Sequence, residues 1–401
     1  MKLNSDRLNR LFFGFLDRVT VGYKFFILPK KRWRFPEKSD LLFYDMEGSE
    51  AFLPYLPSCR YDFIAVRGEF INVPLLLCAI FKSGFWKGKL IEAYTDCFIQ
   101  AATPKVVLTF IDNNTAFWGI SKRFPSVKTI FVQNGWRAKS MDIFQRVVKS
   151  NKYHVDYMFV FNDPIGRYFK KYISGEVLVT GSFKNNHIPL FDADAEPGVL
   201  FISQYDREPP DKKPVYRKAD GTPVYFSLFQ DVDAQVLCFL NIWCTAHHKV
   251  LRICGRSSDE DGLEREYFAK WLTTAKWTFS PLTDGFSTYK SLDSAEMVVV
   301  IDSTVGFEAL ARGKKTAFFY CRGAIMSDDA FRFGWPVEYP DNGPFWTNIA
   351  DANGFDRIMN YLNMVSDDEW EATLKHYSCE LMAFDSGNGR FAALLEQLLC
   401  A

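Results

Sequence analysis

The sequence carries no net charge: 48 Lys and Arg balance 48 Asp and Glu over 401 residues. Non-specific nucleic-acid binding depends on a cationic field that such a balance does not supply, so no nucleic-acid partner is expected. Long apolar runs are also missing; none reaches the roughly 18 residues of a membrane-spanning helix, and no signal peptide is visible. The nine cysteines have no paired metal-ligand spacing and the five histidines no metal motif. Reduced thiols in a cytoplasmic protein are therefore expected, rather than a disulfide framework or a zinc site. No G-x-G-x-x-G follows the first apolar run, which argues against a dinucleotide dehydrogenase, and the absence of G-x-x-x-x-G-K-[ST] excludes a P-loop NTPase. Asp231-Val-Asp233 spells a metal-transferase motif, but it lies in a helical pattern where side chains two apart diverge. No repeat at a solenoid period and no low-complexity tract is present.

What is present describes a globular chain of two domains: 48% of residues are hydrophobic and 24% charged, and the length exceeds one ordinary core. Residues 1–36 are polarised, with nine basic residues against Asp6 and Asp17, and aromatic residues between them. This leader reads either as a peripheral contact with an anionic membrane surface or as a first helix packed on the domain. From Leu41 onward short apolar runs alternate with helical patterns, the mark of a parallel, doubly wound sheet. Predicted strands include 106–111, 129–132, 157–161 and 177–180, with helices over 73–81, 91–102 and 165–172. Polar loops follow the strands at Asp112–Asn114, Gln133–Arg137, Asn162–Asp163 and Gly181–Asn186; together they suggest one wall of a cleft, although each alone reads as a turn. The composition shifts around His187–Gly198, dividing the chain into domains 1–190 and 191–401. A second series follows, with a long helix from about Ser227 to His247 and a last helix over 387–399 that could return to the first domain.

The most informative stretch runs from Ser294 to Phe319. Met297–Ile301 reads as a strand buried on both faces, Asp302, Ser303 and Thr304 as a hydroxyl-rich turn, and Val305–Ala311 as a helix. Such a turn presents unpaired N–H groups and the positive end of a helix dipole, which suits a phosphate. An ordinary N-capped helix gives the same pattern.

Taken in order, Thr109–Asn114, Phe131–Gly135, Gly181–Asn186, Phe201–Gln204, Ile253–Arg256, Ser303–Glu308 and Gly343–Trp346 resemble bacterial surface-polysaccharide biosynthesis proteins. The similarity is greatest to the retaining β-Kdo transferase modules of WbbB-type O-antigen synthases, from about Leu41 to the C-terminus. The resemblance implies a GT-B fold, two Rossmann-like α/β domains facing each other across a cleft. It also implies CMP-β-Kdo as donor substrate, a lipid-linked glycan acceptor, no metal or other cofactor, a place within a multi-domain synthase, and retention through an aspartyl-Kdo intermediate. On it, Ser303 and Thr304 would bind the CMP phosphate and Glu308 the ribose. Arg256 would meet the phosphate or the Kdo carboxylate, with Lys184 and Arg137 as candidates for that carboxylate from the opposite wall. Ser203, Gln204 and Asn186 join the donor-binding set; Gln133 and Asn134 join Arg137 on the acceptor side. Candidate nucleophiles are Asp233, Asp231, Asp112 and Asp163, and Asp233 flanks the helix's apolar stripe more closely than Asp231. A sialyl- or UDP-sugar transferase of the same fold, and a non-catalytic glycan- or nucleotide-binding module, remain as alternatives.

Overall fold

In a computed structural model, residues 29–82, 90–139, 142–145, 147–191, 196–206, 214, 216–218, 221–326 and 331–400 are described. The leader falls largely on residues 1–28, which lie outside them, as do parts of the 187–198 boundary and of the loop after Asp206.

The first domain is built on a six-stranded sheet. Its strands are β1 (Leu41–Tyr44), β2 (Tyr61–Ile64), β3 (Val106–Thr109), β4 (Lys128–Val132), β5 (His154–Val160) and β6 (Ser174–Val179), in the order β2-β1-β3-β4-β5-β6. Every pairing is parallel. The second sheet contains β7 (Glu196–Ile202), β8 (Leu251–Cys254), β9 (Trp277–Ser280), β10 (Ala295–Val300), β11 (Thr316–Phe319) and β12 (Trp346–Thr347), in the order β9-β8-β7-β10-β11-β12. It too is wholly parallel. Continuous apolar runs form the central strands because helices cover both faces; all four residues of β3 and of β11 are buried. In the second sheet the strand order reverses between β7 and β10, and ligands of open α/β sheets bind outside the carboxyl ends of strands at such a point.

The last helix, Gly389–Cys400, packs Phe391, Leu395 and Leu399 among Leu41, Phe43, Val106 and Leu108 of the first domain. Before it the chain crosses Gly181, whose φ of +83° belongs to the left-handed region and whose Cα faces the Ala383 carbonyl with no room for a side chain. The Gly181–Asn186 loop is partly helical, Phe183–His187, because Ser182 caps it by accepting from Asn185 N–H at 3.4 Å. The expected 165–172 helix starts earlier, at Asp163, and ends at Phe169. Helices Ala352–Met364 and Asp367–Leu381 complete the second domain.

Candidate active site

The β10 strand leads through Asp302 into the helix Thr304–Ala311. Ser303 is its N-cap, the side-chain oxygen accepting from Val305 N–H at 3.3 Å. This helix lies close to the sheet because residue 306 is glycine: a Cβ there would stand 2.5 Å from Val300 Cγ2 and 2.8 Å from Phe318 Cε1. In front of the helix start is a cavity of about 410 Å³. Ser203 and Gln204 line it from the end of β7, Gly255 and Arg256 from β8, and Asp302, Ser303 and Thr304 from β10. It therefore occupies the reversal point of the second sheet.

A buried carboxylate shapes one side. Glu264 accepts from Ser203 Oγ at 2.5 Å, Arg256 N–H at 2.8 Å, Ser257 N–H at 3.0 Å and Ser257 Oγ at 2.5 Å. Ser203 is thus spent on holding the 255–257 loop. The Arg256 side chain is more than half exposed; among the described residues it meets the Gln204 and Tyr205 carbonyls at 3.4 Å and Asp206 at 3.8 Å.

The other side is Asp302, behind which a chain of charges runs inward to Asp233; neither Arg322 nor Asp233 is among the residues that line the cavity. Asp302 Oδ1 accepts from Gln204 Nε2 at 2.8 Å and from Arg322 Nη1 at 2.7 Å. Arg322 Nη2 donates onward to Asp233 Oδ1 at 3.3 Å, and Tyr267 OH donates to Asp233 Oδ2 at 3.3 Å. Asp233 is buried, and that burial raises its carboxyl above the usual carboxylate range against the opposing pull of Arg322.

The remaining candidate aspartates lie elsewhere. Asp231 is exposed. Asp163 is on the surface, paired with Arg167 one turn along its helix. Asp112 is fully buried and bound by two nitrogens of Arg137, Nε at 2.8 Å. Arg137 in turn is buried and also bonds Asn134 Oδ1 at 2.5 Å, so its guanidinium is enclosed rather than directed into the cleft.

The expected polar wall of the first domain is mostly a set of internal braces. Gln133 bonds the Gly135 carbonyl and Phe161 N–H, and Asn186 bonds Thr180, Asn388 and Asp385. Asn134 is exposed, as is Lys184, whose ammonium lies 5.5 Å from the Phe110 ring centroid. Across the cleft, Trp136 N–H donates to Thr304 Oγ1 at 3.0 Å and its ring stacks on Phe307. Glu308 does not line the cavity. It is buried between the domains, where it accepts from Ser182 Oγ at 2.5 Å and Tyr289 OH at 3.2 Å, and burial raises its carboxyl. A ribose would have to displace one of these hydroxyls to reach it.

The sequence marks Asp302 as part of the turn but gives it no role of its own, and it does not mark Arg322. Asp302 carries a readable signal, an acid on the first residues beyond a buried strand at the sheet's carboxyl edge. Arg322 has none, since its partners are 20 and 89 residues away. Among the described residues no group of three His, Cys, Asp or Glu is placed to hold a metal ion.

Two Rossmann-like domains, each a parallel sheet covered by helices, with a cavity at the second sheet's reversal point, define a GT-B fold. A Listeria monocytogenes structure described as a UDP-N-acetylglucosamine 2-epimerase is similar over 91% of this chain and 98% of its own, at 13% identity and a TM-score of 0.52. The wall teichoic acid polymerase TagF matches over 100% of this chain and 99% of its own at 13% identity, with a TM-score of 0.49. No curated protein sequence matches. A family model described as "putative O-antigen biosynthesis protein" matches residues 130–399, and the chain belongs to that family.

Proposed function

We propose that this protein is a glycosyltransferase of surface-polysaccharide synthesis that moves Kdo from CMP-β-Kdo to a lipid-linked glycan with retention of configuration. The observation that carries this reading is the cavity at the helix N-terminus, with Ser303 and Thr304 on one side and the Arg256 guanidinium on the other. Cytidine monophosphate leaves as a phosphate monoester, and a helix start with a facing cation stabilises the charge that grows on its oxygens. Family membership supports the polysaccharide context, and the resemblance supplies the sugar.

In this reading Asp233 is the nucleophile. Its carboxylate attacks the anomeric carbon, the carbon–oxygen bond to phosphate breaks, and the electron pair leaves with CMP. The acceptor hydroxyl then attacks the same anomeric carbon from the side that CMP left, its proton passing to a phosphate oxygen of the departing CMP; the bond to Asp233 breaks, which frees the carboxylate and restores the configuration. Arg322 favours the ionised form of the buried carboxylate for the first step, against the effect of burial, and Asp302 fixes Arg322 from the cavity side. Glu308 braces the two domains instead of binding ribose.

The test is release of CMP from CMP-β-Kdo, followed by chromatography in the presence and absence of a chelator, with UDP-sugars in parallel. Turnover of the CMP donor, lost in Asp233→Asn and unaffected by the chelator, supports the reading. Turnover of a UDP-sugar alone would replace the donor, and binding without turnover of any donor would indicate a non-catalytic module.

A further inference from the structure

The sequence leader and the helix Val73–Phe81 meet in a feature that the proposed reaction does not use. Strand Lys30–Arg32 pairs in parallel with Phe70–Asn72, directly ahead of that helix. Asn72, the helix's N-cap, donates from Nδ2 to the Arg34 carbonyl at 2.7 Å, which fastens the 33–35 segment beside the helix start. Large apolar side chains face outward on this strand–helix unit: Trp33 is 73% exposed and Phe35 59% in the segment beside the helix start, Leu77 50% and Phe81 86% farther along the helix. Leu77 and Phe81 are four residues apart and share one face of the helix. Lys30, Lys31, Arg34, Lys38 and Lys82 are exposed on the same stretches against the exposed acids Glu37 and Glu69; Lys82 donates to Gln100, and Arg32 pairs with Asp62 at 3.0 Å and lies over the Phe70 ring.

Solitary exposed apolar residues need no explanation, but a concentration of four large ones does. Lysine is depleted at the centres of protein–protein interfaces, so this mixture does not suit a second protein. Trp and Phe among flexible basic side chains fit a headgroup region: the rings enter the acyl boundary while the ammonium groups stay with lipid phosphates. We infer that the surface formed by Trp33, Phe35, Leu77 and Phe81, with its rim of lysines and Arg34, docks on an anionic phospholipid bilayer. The same mixture of basic and aromatic residues continues through residues 1–28 of the sequence. The inference deepens the proposed function, resting on it only for the lipid-linked acceptor; it holds the protein on the kind of surface in which such an acceptor is anchored.

The experiment is co-sedimentation of the full chain with vesicles of phosphatidylcholine alone and with one quarter phosphatidylglycerol. Wild type is expected in the pellet with the anionic vesicles, with binding weakened by added salt. The Trp33→Ser/Phe35→Ser/Phe81→Ser and Lys30→Glu/Arg34→Glu variants should each bind on the order of tenfold more weakly. All these residues are exposed, so the variants retain the fold, which circular dichroism checks. No binding by wild type, undiminished binding by both variants, or variants that instead convert a dimer to a monomer would overturn the inference. CMP release assayed on the same preparations separates the two claims: vesicle binding without turnover leaves the docking surface standing and removes the proposed reaction.

Discussion

Trp136 and Thr304 belong to different domains, and the Trp136 backbone N–H donates to Thr304 Oγ1 at 3.0 Å while its indole stacks on Phe307 at 3.6 Å between centroids. The residue that opens the helix beside the cavity is therefore also a fastening across the cleft. Trp136→Ala should cost about 2 kcal/mol in urea denaturation, since a half-buried aromatic loses both its stack and its area. Thr304→Val, which removes only the acceptor, should cost about 1 kcal/mol. Equal stability of all three proteins would show that this contact contributes nothing to the association of the domains.

Gly306 sets how near that helix lies to β10 and β11. A Cβ at this position meets Val300 and Phe318, so Gly306→Ala should push the helix away and destabilise the fold by about 1–3 kcal/mol. Because Ser303 and Thr304 move with it, nucleotide affinity should fall too. Thermal unfolding and CMP titration of the same variant measure the two effects.

Asp233 governs the expected acid limb of the reaction. Its burial raises the folded-state value, so the carboxylate forms at a higher pH than an exposed one would, and rate should climb as pH rises through that raised value. Arg322 opposes the shift. Arg322→Gln removes the opposing cation, and the acid limb of kcat/KM for CMP release should move to higher pH. An unchanged limb would separate Asp233 from the chemistry.

Glu264 gathers four donors from Ser203, Arg256 and Ser257. Glu264→Ala strands them in a buried site, with an expected loss of about 3 kcal/mol in stability. The Arg256 loop would lose its anchor, raising KM for the donor more than it lowers kcat. Steady-state kinetics on the purified variant checks the split.

The fold was legible where one physical requirement governed a whole segment. Strands buried on both faces must be apolar throughout, so Met297–Ile301 stands out, and the helices Val73–Phe81 and Phe226–Ala246 follow from their apolar faces. The turn at Ser303 is legible for the same reason, as an N-cap after a buried strand. What the sequence hid is the pairing of distant polar groups. Arg137 closes on Asp112 from 25 residues away and Glu308 on Ser182 from 126. Arg137 reads as a cleft residue because its loop lies at a strand's carboxyl end, and Glu308 because it sits one turn into a helix that starts at one, yet each side chain turns inward to satisfy another buried group. Arg322 shows the converse, a lone arginine that matters only because the fold sets Asp233 and Asp302 on either side of it.

The central claim is that the cavity at Ser303 and Thr304 grips cytidylate, and calorimetric titration of CMP tests it most directly. Wild type should bind CMP in preference to UMP and AMP. Ser303→Ala should bind it several-fold more weakly for loss of about 1 kcal/mol at the helix cap, and Arg256→Ala about tenfold or more for loss of a charged hydrogen bond. CMP binding of equal strength in wild type and both variants, or no binding of CMP at all, would contradict the account.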